Sequence, residues 1–208
     1  DRQGLNEIFS IGPAKTPGCG VFAGVEEVLP GHWVRIRPEG VQQYQYWKLE
    51  SRPHEDGWDK TVETTGFLVR DAIRRQMISD VPVCTFLSGG VDSSLVTAVC
   101  AQELKKQGKQ LTTFSFDFVD NSRYFKANDF QPSRDRPYVE QMAAFLGTDH
   151  HFLECGNEDM IECLYKAVDA KDLPGMADVD ASMLYFCSVV KGYNKVVLTG
   201  ECADEIFG

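Results

Sequence analysis

Residues 87–94 of the chain, Leu87-Ser88-Gly89-Gly90-Val91-Asp92-Ser93-Ser94, combine glycines, hydroxyls and one carboxylate in a way that suits phosphate chemistry. Gly89 and Gly90 let the backbone approach a ligand closely and take positive φ. A helix starting just after them would present free N–H groups and the positive end of its dipole to an oxyanion. Ser88, Ser93 and Ser94 add hydroxyl donors, and Asp92 is a fitting ligand for Mg²⁺. The stretch is not a Walker A loop, since it has neither the G-x-x-x-x-G-K-[ST] spacing nor a lysine in the turn. The bland alternative is a plain glycine-rich turn. Agreement at six positions in a strand–loop–helix context argues against it.

The surrounding pattern supplies that context. Val83–Leu87 is a short apolar run fit for a buried strand, and a helix is expected over about 91–107, ending at Gly108. Before them, Val62, Gly66, Val69, Ile73 and Met77 mark one helical face, with Pro82 barring continuation. After them come a strand over 111–118, a polar loop over 119–134, and a helix opened by Asp135 as N-cap with Pro137 in its first turn. A short strand at 150–153, helices over 158–170 and 181–191, and a buried strand at 195–199 complete the series. Strands separated by helical crossovers imply a parallel sheet covered on both faces, with ligands beyond the carboxyl ends of the strands.

The first stretch reads differently. A short helix around Leu5–Phe9, a Gly/Pro-rich passage over 12–24 and a hairpin are expected there, the hairpin arms being 33–37 and 41–47 about a Pro38-Glu39-Gly40 turn. Residues 49–57 are polar and rich in turn formers. The expected organisation is therefore a small α+β segment over 1–48, a linker over 49–57 and an α/β domain over 58–208.

Composition sets limits on function. At 43% hydrophobic and 25% charged residues the chain is ordinary globular protein rather than disordered. A net charge of −10 disfavours nucleic acid as a partner, because phosphate backbones require concentrated Lys and Arg. Apolar runs are too short for a membrane span. Seven scattered cysteines without a C-x-x-C pair argue against zinc or a redox motif, and for mostly buried, reduced thiols of a cytoplasmic protein. His150-His151 suggests a metal pair, but on a strand the two rings point to opposite faces, so a structural role is expected.

The S-G-G-x-D-S-S loop resembles the pyrophosphate-binding loop of the ATP pyrophosphatase (PP-loop) superfamily. Two flanking stretches narrow the likeness to the glutamine-hydrolysing asparagine synthetase family. They are Arg74-Arg75-Gln76-Met77-Ile78-Ser79-Asp80-Val81-Pro82-Val83 and Thr199-Gly200-Glu201-Cys202-Ala203-Asp204-Glu205-Ile206-Phe207-Gly208. The resemblance implies a doubly wound parallel sheet of the adenine nucleotide alpha hydrolase-like type. It also implies ATP and Mg²⁺, with a carboxylate activated as its adenylate, pyrophosphate released and ammonia as the attacking amine. Carried over by position, it makes Leu87, Phe116 (through its backbone), Thr199 and Gly200 nucleotide contacts, alongside Ser88, Gly89, Gly90, Asp92, Ser93 and Ser94 of the loop. Asp92 and Asp204 would hold magnesium and pyrophosphate. Glu201 would serve adenylate formation or take a proton from ammonia, its plainer role being an acid at a helix start. Residues 1–48, with Pro30-Gly31-His32 and Tyr46-Trp47, resemble the tail of that family's glutaminase domain. A homodimer is compatible with this reading.

Three departures qualify the likeness. The chain starts at Asp1, without the nucleophilic cysteine of the glutaminase, so ammonia is expected from a domain missing here. It stops at Gly208, where the family continues into a long helical region, so weak ATP binding or inactivity of this stretch alone is expected. The family's aspartate-binding segment carries Thr and Arg, whereas residues 172–182 place Asp178 and Asp180 about where the cationic clamp would be. That points to an acceptor other than free aspartate, such as a cell-wall precursor carboxylate or an amine-bearing metabolite. Two further readings are a tRNA-modifying relative, opposed by charge and by the lack of C-x-x-C, and a non-catalytic nucleotide-binding module, opposed by the retained Ser88, Asp92, Ser93, Glu201 and Asp204. Cys202 stands where many relatives have glycine, and a small buried filler is expected there.

Overall fold

Alternating apolar runs and helical faces build the elements in the order the sequence leads one to expect. The computed structural model describes residues 1–129 and 132–207; Phe130 and Gln131 of the expected loop, and Gly208 at the end of the acidic motif, lie outside the described residues. The chain divides into two compact units, Asp1–Glu55 with Ala167–Ala177, and Asp56–Lys166 with Asp178–Gly208.

In the first unit, α1 (Arg2–Ile11) is capped by the Asp1 carboxylate, which accepts the Gly4 N–H at 2.8 Å. The hairpin pairs β1 (His32–Arg37) with β2 (Gly40–Gln45) antiparallel. Arg37 pairs directly with Gly40, so the turn is the two residues Pro38-Glu39 rather than three. The second strand ends at Gln45, short of the expected Trp47. The N–H groups of Tyr46 and Trp47 bond to the Gly31 carbonyl instead.

The second unit begins with α2 (Trp58–Gln76) and continues through β3 (Val83–Phe86), α3 (Val91–Lys106) and β4 (Thr112–Phe118). The expected loop after β4 contains one helical turn, α4 (Asn121–Tyr124). Then come α5 (Arg136–Leu146), β5 (Asp149–Cys155), α6 (Asn157–Lys171), α7 (Ala177–Val190), β6 (Val196–Leu198) and α8 (Asp204–Phe207). The α3 helix stops because Gly108 takes the left-handed conformation at φ 69°, while the Gly108 and Lys109 N–H groups close on the Lys105 and Leu104 carbonyls. Asp135 precedes α5 but makes no side-chain capping bond; its carbonyl accepts the Tyr138 and Val139 N–H groups.

The four strands of this unit form a parallel sheet in the order β5-β4-β3-β6. The first strand of the series, β3, therefore has the second on one side and the fourth on the other, which makes the gap between β3 and β6 the place where the winding reverses. Ligands of such sheets collect there, beyond the carboxyl ends. Cys84 ties the pair across the longest span, its thiol donating to the Val196 carbonyl at 3.4 Å over 112 residues.

Both faces are covered. On one, Val69 and Ile73 of α2 and its C-cap Met77 pack with Val99, Cys100 and Leu104 of α3 against Val83, Leu111 and Leu198. Val62, expected on the same face, is exposed, because it lies on the turns of α2 that precede this contact. On the other face, Phe186 and Val190 of α7 meet Cys84, Phe86, Phe114 and Phe116. A polar pair crosses the first interface, with Thr85 and Thr97 hydroxyls 2.9 Å apart and both residues fully buried. No helix among the described residues is long and apolar enough to cross a membrane.

Candidate functional site

At the end of β3 the backbone N–H of Leu87 donates to the Phe114 carbonyl at 2.8 Å, and the Leu87 side chain is fully buried against Val139 and Ala143 of α5. This anchors the entry to the loop. Gly89 follows with φ 86°, and a Cβ there would lie 3.0 Å from the Asp135 carbonyl oxygen and 3.1 Å from the Tyr138 Cβ. Glycine is required on both counts.

The loop then holds its own shape. Ser93 is buried, and its hydroxyl accepts the Ser88 N–H at 3.2 Å, lies 2.9 Å from the Ser88 hydroxyl and donates to the Gly90 carbonyl at 3.2 Å. Sequence alone reads Ser93 as a donor to ligand; here its hydroxyl is occupied within the turn. Gly90 is the N-cap of α3 and offers no side chain to the first-turn N–H groups. Those N–H groups mark the positive end of the helix, and Asp92 lies in the same first turn.

The other wall comes from the end of β6. A Cβ at Gly200 would fall 2.5 Å from the Ser93 nitrogen and 2.6 Å from the Asp92 carbonyl carbon, so the two segments touch backbone to backbone. Between them opens a cavity of about 250 Å³ whose lining includes Ser88, Gly90, Asp92, Ser93, Thr199, Gly200 and Glu201. Thus seven of the residues singled out in the sequence share one space. Ser94 sits on the first turn of α3, its N–H bonded to Gly90, and is not part of that lining. Asp204 opens α8, exposed and outside the lining. Cys202, expected as a buried filler, is exposed with φ 67°. That left-handed backbone suits glycine better than cysteine, which gives a conformational reason for glycine at this place.

On the far side of Phe86 and Leu87 lies a second cavity, of about 150 Å³. Its walls are aromatic: Phe86 and Phe186 are 4.4 Å apart between ring centroids, and Phe116 lies 5.5 Å from Phe186. Phe116 and Leu87, expected as nucleotide contacts, both line it. Its polar lining includes Ser115, Asp117, Asn121 and Arg136, none of which sequence reading had singled out. They come from β4, α4 and the start of α5, and no spacing rule links those segments.

Two of these groups are already engaged. Ser115 is bonded at 3.0 Å to Nε2 of His150, whose Nδ1 is 2.8 Å from the Thr113 hydroxyl. Burial holds the His150 ring down to about 4 from its ordinary 6.5, with the neighbouring His151 and Arg136 acting in the same sense. The ring is therefore neutral at physiological pH. Arg136 lies 4.3 Å over the Phe152 ring and pairs with Glu154 at 3.0 Å and Glu140 at 3.3 Å. His151 points the other way and stacks on Phe114 at 5.2 Å, so the two histidines do occupy opposite faces.

The candidate acceptor segment differs from expectation. The helix expected from 181 starts at Ala177 and ends at Val190, which places Asp178 and Asp180 in the first turn of α7. Acids there are favoured by the helix dipole. Two positions apart on a helix, they project about 200° from one another and do not form one clamp. Among the described residues no cluster of three or more His, Cys, Asp or Glu is arranged to enclose a metal.

Comparison with known proteins supplies the context for this geometry. A family model described as Asparagine synthase matches residues 66–208. Over its whole length the chain is 49% identical to Asparagine synthetase [glutamine-hydrolyzing] 3 of Bacillus subtilis (strain 168), covering 34% of that protein. It is 32% identical to Asparagine synthetase [glutamine-hydrolyzing] 1 of the same strain, covering 100% of this chain and 31% of that one. Amidase chyE of Penicillium rubens is 32% identical over 89% of this chain and 29% of its own. The chain thus spans about a third of the length of the curated relatives it matches.

Proposed function

The chain belongs to the asparagine synthase family, and from that premise we propose that it is the ATP-binding part of an enzyme that adenylates a carboxylate and passes it to ammonia. The observation that carries this reading is the contact of Gly200 with Asp92 and Ser93, which puts the loop and the acidic segment around one cavity. In this reading the base occupies the aromatic cavity and the phosphates lie over Ser88–Ser93. The carboxylate oxygen attacks the α-phosphorus and the bond to the β-phosphate breaks. Charge then develops on pyrophosphate, opposite the free N–H groups of α3. Ammonia attacks the acyl carbon, AMP leaves, and Glu201 takes the surplus proton.

The donor set fits a hard cation. Asp92, Glu201 and the Ser88 hydroxyl offer only oxygen, and Mg²⁺ is ordinarily held by one or two carboxylates together with substrate phosphates rather than by an all-protein cage. Asp92, which lines the cavity, would hold it, the family resemblance adding Asp204 from α8 outside that lining, and the ion's charge would offset that of the leaving group. Residues 1–48 are assigned to the tail of a glutaminase-type domain that delivers ammonia. The cytoplasm is the proposed location: all seven cysteines are free thiols, the state that compartment maintains. A homodimer remains compatible with this assignment.

The acceptor is aspartate or a related carboxylate. An acceptor other than free aspartate is favoured by residues 172–182, which contain no Lys or Arg to clamp a free carboxylate. The test is pyrophosphate release by the full-length protein with ATP, Mg²⁺, ammonia and a panel of carboxylates. Release with one acceptor supports the assignment and names the substrate; silence with all of them would leave only nucleotide binding. Asp92→Asn should abolish release while the protein keeps its unfolding temperature, and unchanged turnover would refute the role given to Asp92.

A further inference from the structure

The α3 helix carries apolar residues on several sides: Val91 and Leu95 are exposed, while Val99 and Cys100 are buried. A helix without one clear apolar stripe is only loosely seated by apolar burial. Two hydroxyls supply what that pattern lacks. Ser93 and Thr97 lie one turn apart on the same face, and both are buried. Ser93 bonds to Ser88 and Gly90, which belong to the loop running directly into the helix. Loop and first turn are thus tied to each other. Thr97 ties the helix to the sheet: its hydroxyl lies 2.9 Å from that of Thr85 on β3, with both residues fully buried.

We propose that Thr97 is a positioning residue: held by Thr85, it sets the height of α3 along β3 and so aims the first-turn N–H groups at the pyrophosphate. The inference rests on the adenylation reading above and assigns what keeps the anion-binding end of the helix in place. A hydroxyl pair suits this task better than apolar contact, which is non-directional and survives small slides. A hydrogen bond weakens steeply once it is stretched or bent. An α-helix rises about 1.5 Å per residue, so a slide of even one residue would break the pair. The interface around α3 is built from Val99, Cys100, Leu104, Leu111 and Leu198, whose side chains offer neither hydroxyl a strong replacement partner. Both hydroxyls would then be buried and unpaired, which is the costly arrangement. Across the cavity, a Cβ at Gly200 would already collide with the Asp92–Ser93 peptide. A shift of that peptide would therefore disturb both walls of the phosphate site at once.

The experiment follows pyrophosphate release by the full-length protein with ATP, Mg²⁺, ammonia and the carboxylate panel, beside the unfolding midpoint in urea. Thr97→Val keeps the side-chain shape, removes the hydroxyl and leaves Thr85 unpaired, so the midpoint should fall. Its kcat should drop about tenfold or more, with KM for ATP changed by less than about threefold. Adding Thr85→Val removes the orphaned hydroxyl and should return the midpoint close to wild type. It should not return kcat, because nothing then fixes the height of the helix. Thr97→Ser keeps the hydroxyl and should stay within about threefold of the wild-type kcat. Recovery of kcat together with the midpoint in the double variant would make the pair merely structural and overturn the proposal. An unchanged kcat in Thr97→Val overturns it as well. So does an equal loss of kcat in Thr97→Ser and Thr97→Val, a comparison that decides alone should the double variant not fold. In all three cases the adenylation reading stands. No release by wild type with any acceptor removes that reading and the proposal together.

Discussion

The two cavities flanking Phe86–Ser88 are built from different materials. The one beside Asp92 is made largely by backbone: Gly90 at the open N-terminus of α3, and Gly200 seated on the Asp92–Ser93 peptide. The one beside Phe116 is made by side chains, with aromatic rings as walls and a few polar groups at the edge. Charge that changes during a reaction is best met by rigid dipoles, which need no rearrangement. A flat, uncharged ring is best met by polarizable surfaces. The chain provides each where the proposed reaction needs it, and mutations should separate the two.

The largest effect is expected from Phe186→Ala. It removes the ring that joins Phe86 and Phe116, at a cost of about 3–5 kcal/mol in unfolding free energy, measurable in urea. Nucleotide affinity should fall, while turnover at saturating ATP changes little. Gly200→Ala should do the reverse. Its Cβ would press on backbone atoms at 2.5 and 2.6 Å, costing about 1–3 kcal/mol, and turnover should drop about a hundredfold with nucleotide affinity nearly kept. Loss of affinity without loss of turnover in that variant would erase the distinction between the cavities.

Smaller effects sharpen the comparison. Ser93→Ala removes the bonds to Ser88 and Gly90 and should cost about 1 kcal/mol, with a rise in the amide exchange of Ser88 as the direct readout. The mildest test concerns pH. His150 stays neutral in the fold until about pH 4, whereas the unfolded ring takes its proton near 6.5. The unfolded state therefore binds more protons between those values, and stability falls as pH drops from 6.5 toward 4. Because the ring is only partly withdrawn from solvent, we expect about 1 kcal/mol rather than the full shift. His150→Gln should remove this part of the pH dependence, and an unaltered profile would count against it.

Legibility in the sequence followed the same division. The strand–loop–helix around Gly89 could be read because backbone demands leave marks on residue type: glycine where φ is positive, an apolar run before it, glycine again at the end of α3. The polar cavity was legible for that reason. The aromatic one was marked only through the family resemblance, at Leu87 and Phe116; Phe86, Phe152 and Phe186 come from three other elements and each reads as ordinary core. Asn121 was passed over inside a polar loop, since a single helical turn is too short to show a period. Ser93 shows a further limit: its type indicated a hydroxyl at the loop, but only coordinates reveal that the loop itself takes up its bonds. The helix that carries Asp178 and Asp180 was read four residues short, since α7 starts at Ala177 rather than 181.

The pairing of β3 with β6 has a consequence for synthesis. Until the ribosome has delivered Val196–Leu198, the Val83–Phe86 strand has a partner on one side only and presents an unpaired, largely apolar rim. Such rims recruit other chains. A nascent polypeptide of this design therefore carries one edge of that strand uncovered for much of its elongation, until the Cys84 thiol meets the Val196 carbonyl. Slowing translation just before position 196 should raise the aggregated fraction, whereas a pause placed after 200 should not.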